Sequence, residues 1–464
     1  MDRLRKLFAQ DEVGYEPINT GTGPTEHESL PSTPSSSTKE VGSFRSAKVG
    51  YAIYLLMGVS MLWAWNMFLA AGPYFRKRFR TSDWILVHFQ AVETSVSTII
   101  NLVAVIALTF FQSTETGGTK SETFKFSYVQ RIFASLVLNA LVFLFLSFAT
   151  LPVFALGAES YFSFLICMVL LASLATGLCQ NGLFAYVSGY SNGVREVYTQ
   201  AIMAGQAVAG VLPAIVEICT AASRRNTKGS GKVLAYFATA VGVEVAAFFG
   251  FAYLLLSTHK AHDEDADANT PTMDGEVENE ESAEVTSHVP IFVLWRKLSL
   301  PATAIFLTFG ITMVFPVFTE RIHSNNAAQE WFFAPPEIFI PLAYLFWNTG
   351  DLLGRLFAPF CADRFIPHPG SLLLLAASRI VFVGLYLLCN IRGHGAVVKS
   401  DFFYLVVVQA LFGASNGFLG ALCMMGVGTW VGREERSAAG AFMSLAMVVG
   451  LASGSLTSFA FAAS

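Results

Sequence analysis

Hydrophobic and polar positions divide this chain into long blocks, not the short alternations of a globular domain. After a polar stretch, eleven apolar runs follow at approximately 50–72, 84–112, 127–150, 160–190, 194–220, 232–257, 299–320, 334–361, 370–391, 402–430 and 435–462. Crossing the hydrocarbon core takes about 20 predominantly apolar residues in a helix, the conformation that satisfies every backbone group within one segment. The pattern therefore predicts an all-α polytopic membrane protein with 11 transmembrane helices. Several runs exceed the minimum length, which predicts tilted helices or ends projecting from the bilayer.

The breaks between runs predict the organisation. Residues 1–48 carry Ser, Thr, Pro, Gly and Glu without apolar periodicity, including the run from Pro31 to Thr38, and read as a disordered tail. The first long apolar run begins only near Gly50, so no signal peptide is expected. Residues 258–297, between the sixth and seventh runs, are too charged to pack and read as an acidic disordered loop. A first bundle of six spans (49–257) and a second of five (298–464) flank that loop.

Composition agrees. Hydrophobic residues make up 54% of the 464 and charged residues only 13%, about half the share usual in soluble domains. That excludes a soluble enzyme, which needs a polar shell, and a nucleic-acid-binding protein, which needs a basic face. The net charge of −4 reflects mainly the loop, where ten acids lie between Asp263 and Glu284. An odd span count puts the termini on opposite sides, but Lys and Arg are shared almost equally between the two sets of loops, so charge leaves orientation open. The six cysteines (Cys167, Cys179, Cys219, Cys361, Cys389, Cys423) form no CxxC pair and read as small buried hydrophobes.

Candidate chemistry then rests on polar residues inside the spans, because a charge at the bilayer centre costs roughly 2.5–3.5 kcal/mol even on lenient scales. In the eighth span, Asn348, Asp351 and Arg355 share one helical face, with Asp351 and Arg355 one turn apart. Such a pair neutralises itself while leaving guanidinium donors for hydroxyl or carbonyl oxygens, or it serves only to make insertion tolerable. Gly350 and Gly354 open the same region to a helix or a ligand. In the first span, Trp63, Trp65 and Asn66 place two indoles and an amide in mid-segment, suited to a planar, hydrogen-bonding ligand or to packing. Gln180 and Asn181 in the fourth supply adjacent amides, as recognition of a base edge requires, with interhelical bonding the alternative. Glu93 in the second is a candidate proton carrier or ligand partner, or else faces a water-filled vestibule or pairs with the Arg76–Arg80 cluster. Glu217, Glu244 and Arg379 read as snorkelling or helix-pairing residues. Glycine and alanine at four-residue spacing, as at Gly413 and Gly417 or Gly450 and Gly454, read as packing seams.

At these residues the sequence resembles the equilibrative nucleoside transporter family. Trp65-Asn66-Met67-Phe68 with Tyr74-Phe75 is similar to the family's Leu-Pro-Trp-Asn-x-Phe block, with Ala64 in place of Pro. Gln180–Phe184, Tyr198–Gly210, Phe346–Arg355, and Ser415–Leu419 with Ala439–Met443 resemble four further blocks in order. The resemblance covers nearly all of residues 50–462. It implies a major-facilitator-like arrangement of six plus five helices, with the N-terminus and acidic loop cytoplasmic. It also implies substrate-binding roles for four residues: Gln180 reading a base edge, Asp351 and Arg355 engaging ribose hydroxyls directly or by controlling one another, and Trp65 packing on the ligand. Asn66, Asn348 and Gln206 match motif positions of supporting type. Glu93 replaces an apolar family position facing substrate.

The expected function is transport of nucleosides, with nucleobases as a further class, by alternating access, facilitative or proton-linked through Glu93. The expected partners are the permeant, the lipid bilayer and protons; no nucleic acid, metal or cofactor is expected. Plasma and vacuolar or lysosomal membranes both remain open. The runner-up is a major-facilitator carrier for a sugar or drug, separated by twelve spans against eleven and by an Asp-Arg pair in a loop against one inside a helix. A membrane-embedded enzyme is disfavoured, since no His-Glu-x-x-His or Gly-x-Ser-x-Gly occurs.

Overall fold

A computed structural model describes residues 37–113, 127–151, 156–222, 229–268, 289–325 and 332–463. Eleven long elements follow one another as α1 (Ser37–Ala70), α2 (Asp83–Ser113), α3 (Tyr128–Ala149), α4 (Ala158–Ser188), α5 (Val194–Ala222), α6 (Gly229–Ala268), α7 (Ile291–Thr312), α8 (Pro336–Phe365), α9 (Pro369–Ser378), α10 (Leu411–Met425) and α11 (Arg436–Ala463). Short segments extend four of them: Gly72–Arg78 after α1, Val314–Thr319 after α7, Val381–Tyr386 after α9, and a π-helix, Phe403–Ala410, leading into α10. Ten of the spans are long and apolar enough to cross a membrane. The eleventh, α8, is equally long but carries Asn348, Asp351 and Arg355, so it falls short on composition.

Three expectations change at the edges of these helices. The helix of α1 begins at Ser37, inside the stretch read as a disordered tail; residues 1–36 lie outside the described residues. On the other side of the first bundle, α6 continues to Ala268, because neither Gly nor Pro interrupts the chain between Gly250 and Pro271, and Ala and Glu favour helix. With α7 starting at Ile291, only the centre of the acidic loop, residues 269–288, is outside the description. Of the cysteines, Cys179, Cys389 and Cys423 are buried, whereas Cys167 and Cys219 are exposed, on faces suited to lipid.

Glycines let backbones meet. Added Cβ atoms at Gly350 and Gly354 of α8 would run into the carbonyls of Ala410 and Ala414, and those at Gly413 and Gly417 of α10 into the carbonyls of Trp347 and Asp351. The space that Gly350 and Gly354 open is therefore filled by α10. The same reciprocal contact joins α1 to α5, through Gly58 on Ile202 and Gly205 on Leu55, and α7 to α11, through Gly450 on Phe306 and Gly454 on Gly310. In lipid, where apolar surface gains little by association, such close packing and the Cα–H···O contacts it permits hold helices together. The first bundle (α1–α6) meets the second (α7–α11) chiefly where α5 packs on α8, α4 on α11, and α2 on α11. Large apolar side chains such as Phe249, Leu256, Phe292 and Leu374 point outward.

Candidate functional site

The buried centre of the molecule is built around α8. Asp351 and Arg355 are 2% and 4% exposed, and their one-turn spacing brings Arg355 Nε to 2.8 Å from Asp351 Oδ2. Asn416 on α10 donates to Asp351 Oδ1 at 2.7 Å. That bond depends on the glycine seam, since Gly417 sits directly on the Asp351 carbonyl. The Arg355 Nη1 group crosses to the first bundle, donating to the Met203 carbonyl at 2.6 Å and to Gln206 Oε1 at 3.0 Å on α5. A buried guanidinium is costly unless paired and hydrogen-bonded, and this one meets both conditions by bridging the two bundles.

Gln180 occupies a second inter-bundle seam. It is buried on α4, and among the described residues its one hydrogen bond is a long one, from Nε2 to the Met447 sulfur of α11 at 3.5 Å. Its neighbour Asn181 is a structural amide: it accepts from Arg131 Nη1 at 2.8 Å and donates to Thr109 Oγ1 at 3.3 Å, tying α2, α3 and α4. Trp65 is half-buried on α1. Because Gln206 contacts Met61 and Asn66 reaches Ala209, Trp65 sits about one helical turn beyond the level at which Arg355 meets α5. Asn66 and Asn348 behave as supports. Asn66 donates to the Leu62 and Ala209 carbonyls at 3.0 and 2.9 Å, and Asn348 donates to Tyr344 at 2.9 Å while its Oδ1 rests on Gly210.

Glu93 stands apart. Ser173 bonds Ser97 at 2.9 Å, and Gly177 packs on Asn101, so α2 and α4 run the same way and Glu93 is level with Val169. That places it about 16 Å along the axis from Gln180, at a rise of 1.5 Å per residue. Glu93 is 4% exposed, Oε1 has no hydrogen-bond partner, and no ion pair joins it to the Arg76–Arg80 cluster among the described residues.

Of the residues read from sequence as snorkelling or helix-pairing, two pair helices in the buried interior. Glu244 is 1% exposed and accepts from Ser60 Oγ at 2.7 Å and Asn139 Nδ2 at 3.3 Å, joining α1, α3 and α6. Arg379 is 2% exposed and bonds residues of α7 and α10, which excludes snorkelling. The side chain of Glu217 lies outside those described. Sequence reasoning missed Asn416 and Thr312 as members of the Asp351 cluster; the one signal was that Asn416 belongs to the Ser-Asn-Gly block.

On the side where α1 begins, the bundles are closed. Arg195, fully buried at the start of α5, pairs with Glu196, bonds Asn192 at 2.9 Å and packs against Gly428, beyond the end of α10. Arg436 of α11 donates to the Tyr190 carbonyl at 3.5 Å, and Tyr190 in turn shares a 2.9 Å bond with Tyr54 of α1.

Two bundles meeting at buried polar seams have the form of a carrier, and comparison with known proteins identifies its kind. A family model described as "Nucleoside transporter" matches residues 165–463. The chain belongs to the nucleoside transporter family. Among curated relatives of this family member, it is 28% identical to nucleoside transporter FUN26 of Saccharomyces cerevisiae, over 89% of this chain and 84% of the relative. It is likewise 28% identical to equilibrative nucleoside transporter 1 of Rattus norvegicus, over 89% and 96%, and 26% identical to the Homo sapiens protein of the same name, over 90% and 97%. Among solved structures it is similar in fold to the major facilitator proton:xylose symporter XylE, with a TM-score of 0.58 at 12% identity over 89% of this chain and 87% of that one. The similarity to the major facilitator transporter FucP, in its outward conformation, has a TM-score of 0.50 at 13% identity over 90% and 98%. The major-facilitator-like arrangement is therefore present. Within this nucleoside transporter family member the Asp351–Arg355 pair lies inside a helix, and among the described residues the ten candidate spans and α8 make eleven, both as the nucleoside reading requires against the sugar or drug alternative. The family and the relatives are transporters, not enzymes.

Proposed function

We propose that this protein carries nucleosides, and nucleobases as a further class, across its membrane by alternating access around a site made of Asp351, Arg355, Gln180 and Trp65. The observation that carries this reading is the buried Asp351–Arg355 pair, whose guanidinium reaches across the bundle interface to Met203 and Gln206. A rocking motion that separates α5 from α8 removes those acceptors and releases Arg355 donors for ribose oxygens, while Asp351 accepts from ribose hydroxyls. Gln180, with only a weak sulfur acceptor on the α4–α11 seam, has its amide available for a base edge. Trp65, one turn further along, supplies an aromatic face. Asn66, Asn348 and Gln206 hold the surrounding helices. Fixed hydrogen bonds at mid-membrane and motion of two rigid bundles are sufficient for facilitated transport; no covalent step is needed.

The domain plan follows from the same reading: two bundles joined by the acidic segment, with the tail, that segment and the closed end cytoplasmic, in a plasma or a vacuolar or lysosomal membrane. Glu93 is assigned to proton linkage, not to the central site. Its unpartnered Oε1, buried about 16 Å away from the level of Gln180, supports proton uptake on the pathway rather than contact with the same ligand. The test is uptake of labelled adenosine and uridine into proteoliposomes at two pH values. Accumulation above empty vesicles, stimulated by acid in the wild type but not in Glu93→Gln, is expected. Unchanged pH dependence in Glu93→Gln rejects the coupling, and absence of accumulation of either permeant rejects the transport assignment.

A further inference from the structure

Arg379 is a second guanidinium in the Asp351 cluster, and its hydrogen bonds have a direction. Nε donates to Ser415 Oγ at 2.9 Å, Nη1 to the Thr308 carbonyl, and Nη2 to Thr312 Oγ1 at 2.9 Å and the Phe412 carbonyl at 3.5 Å, with the guanidinium 4.6 Å from the Phe412 ring centre. Among the described residues no carboxylate bonds it directly. From Thr312 a relay continues: Thr312 Oγ1 lies 2.7 Å from Asn416 Oδ1, and Asn416 Nδ2 donates to Asp351 Oδ1 at 2.7 Å.

The hydroxyl of Thr312 has one proton and two acceptors in reach, Asn416 Oδ1 and the Thr308 carbonyl at 2.8 Å. A helical threonine ordinarily returns its proton to the carbonyl four residues back. Here Arg379 Nη1 already occupies that carbonyl, and Nη2 fills a lone pair on Thr312 Oγ1. Both effects send the proton to Asn416 Oδ1. An amide whose oxygen accepts there must turn its nitrogen toward Asp351. Without Arg379 the threonine reverts to Thr308, Asn416 Oδ1 loses its donor, and the amide is free to flip and set an oxygen against the carboxylate.

We propose that Arg379 is a positioning residue for the sugar end of the permeant: through Thr312 and Asn416 it fixes which Asp351 oxygen is engaged by protein and which direction remains for ribose hydroxyls. It acts without touching the ligand, and it rests on the assignment of Asp351 to ribose.

The test compares uptake kinetics of uridine and 2′,3′-dideoxyuridine, which lacks both secondary hydroxyls, in proteoliposomes carrying wild type, Arg379→Gln, Thr312→Val and Asp351→Asn. Thr312→Val keeps the shape of the side chain and breaks only the relay, so it covers the case in which Arg379→Gln fails to fold. The expected result is that the uridine KM rises about tenfold in Thr312→Val and in Arg379→Gln, the loss of one charged hydrogen bond, with Vmax and the dideoxyuridine KM within about twofold of wild type. Combining the two substitutions adds nothing further. Equal loss for both permeants through Vmax, or a wild-type uridine KM in Thr312→Val, overturns the positioning role. If Asp351→Asn leaves the uridine preference intact, the ribose assignment itself fails; if Asp351→Asn abolishes it while Thr312→Val does not, only the relay fails.

Discussion

Gly417→Ala tests whether the glycine seam sets the geometry of the charged pair. A Cβ at this position would lie 2.8 Å from the Asp351 carbonyl carbon and 2.9 Å from Arg355 Cγ, and nearer still to the Asp351 carbonyl oxygen, where ordinary contact begins at 3.4 Å. The obstacle is backbone and the carbonyl oxygen is its nearest atom, so α10 and α8 must separate by more than about 1 Å. Asn416 precedes Gly417 on the same helix and would move with it, stretching its 2.7 Å bond to Asp351 past about 3.5 Å, beyond the usual range. Overpacking of this size costs about 1–3 kcal/mol, and a weakened charged hydrogen bond about 1.5–3 kcal/mol. The expected outcome is a 10- to 100-fold rise in uridine KM and a lower melting temperature for the detergent-purified protein. Gly384→Ala is the control: nothing lies within 4 Å of that Cβ, so helix propensity alone predicts stabilisation of up to about 1 kcal/mol. Wild-type KM and stability in Gly417→Ala would refute the argument that close approach of α8 and α10 positions Asp351.

Other outcomes follow from the same contacts. Glu244→Gln keeps the shape and one acceptor oxygen, for Ser60, while its amide nitrogen can donate to Asn139 Oδ1 once that amide turns over, so it should alter thermal stability by less than about 1 kcal/mol, whereas Glu244→Leu strips both donors of their acceptor and should cost about 1–3 kcal/mol for each group left unpaired, read by thermal unfolding in detergent. Gly428→Ala places a Cβ against the Arg195 guanidinium and disfavours the closed end by about 1 kcal/mol or more, so an engineered cysteine at Tyr190 should label at least about fivefold faster with a membrane-impermeant maleimide. Asn66→Ala removes the α1 to α5 bond at Ala209 and should lower stability by about 1 kcal/mol without changing the ratio of adenosine to uridine uptake.

The span pattern was legible because hydropathy over twenty residues is a property of the solvent, not of the fold, and even α8, which composition alone would discard, showed itself by its length. The pair Asp351–Arg355 was legible because one helical turn places both ends of an ion pair on one face. What surrounds that pair was not. Arg379, Thr312 and Asn416 come from the cap of α9, from α7 and from α10, and no periodicity within one helix reports which neighbour it will face. For Arg379 and Glu244 the sequence leaves snorkelling and helix pairing both open, because a lone charge in a span has the same appearance whether it reaches water or a buried partner; in the structure both pair helices. The height of Glu93 relative to the other polar residues is not legible because depth within a span cannot be compared between spans until a contact such as Ser97 with Ser173 sets their heights. The spacing of Gly413 and Gly417 reads as a packing seam, yet only the structure reveals that it backs directly onto Asp351.

The central claim is that Asp351 and Arg355 form the ribose-binding part of a nucleoside pathway between the bundles. Counterflow of labelled uridine in proteoliposomes preloaded with unlabelled uridine measures it directly, since exchange requires the site to load on both faces. Wild type should accumulate label transiently, and Asp351→Ala, reconstituted at equal density and folded by size-exclusion chromatography, should not rise above empty vesicles. Undiminished counterflow by Asp351→Ala would contradict the account.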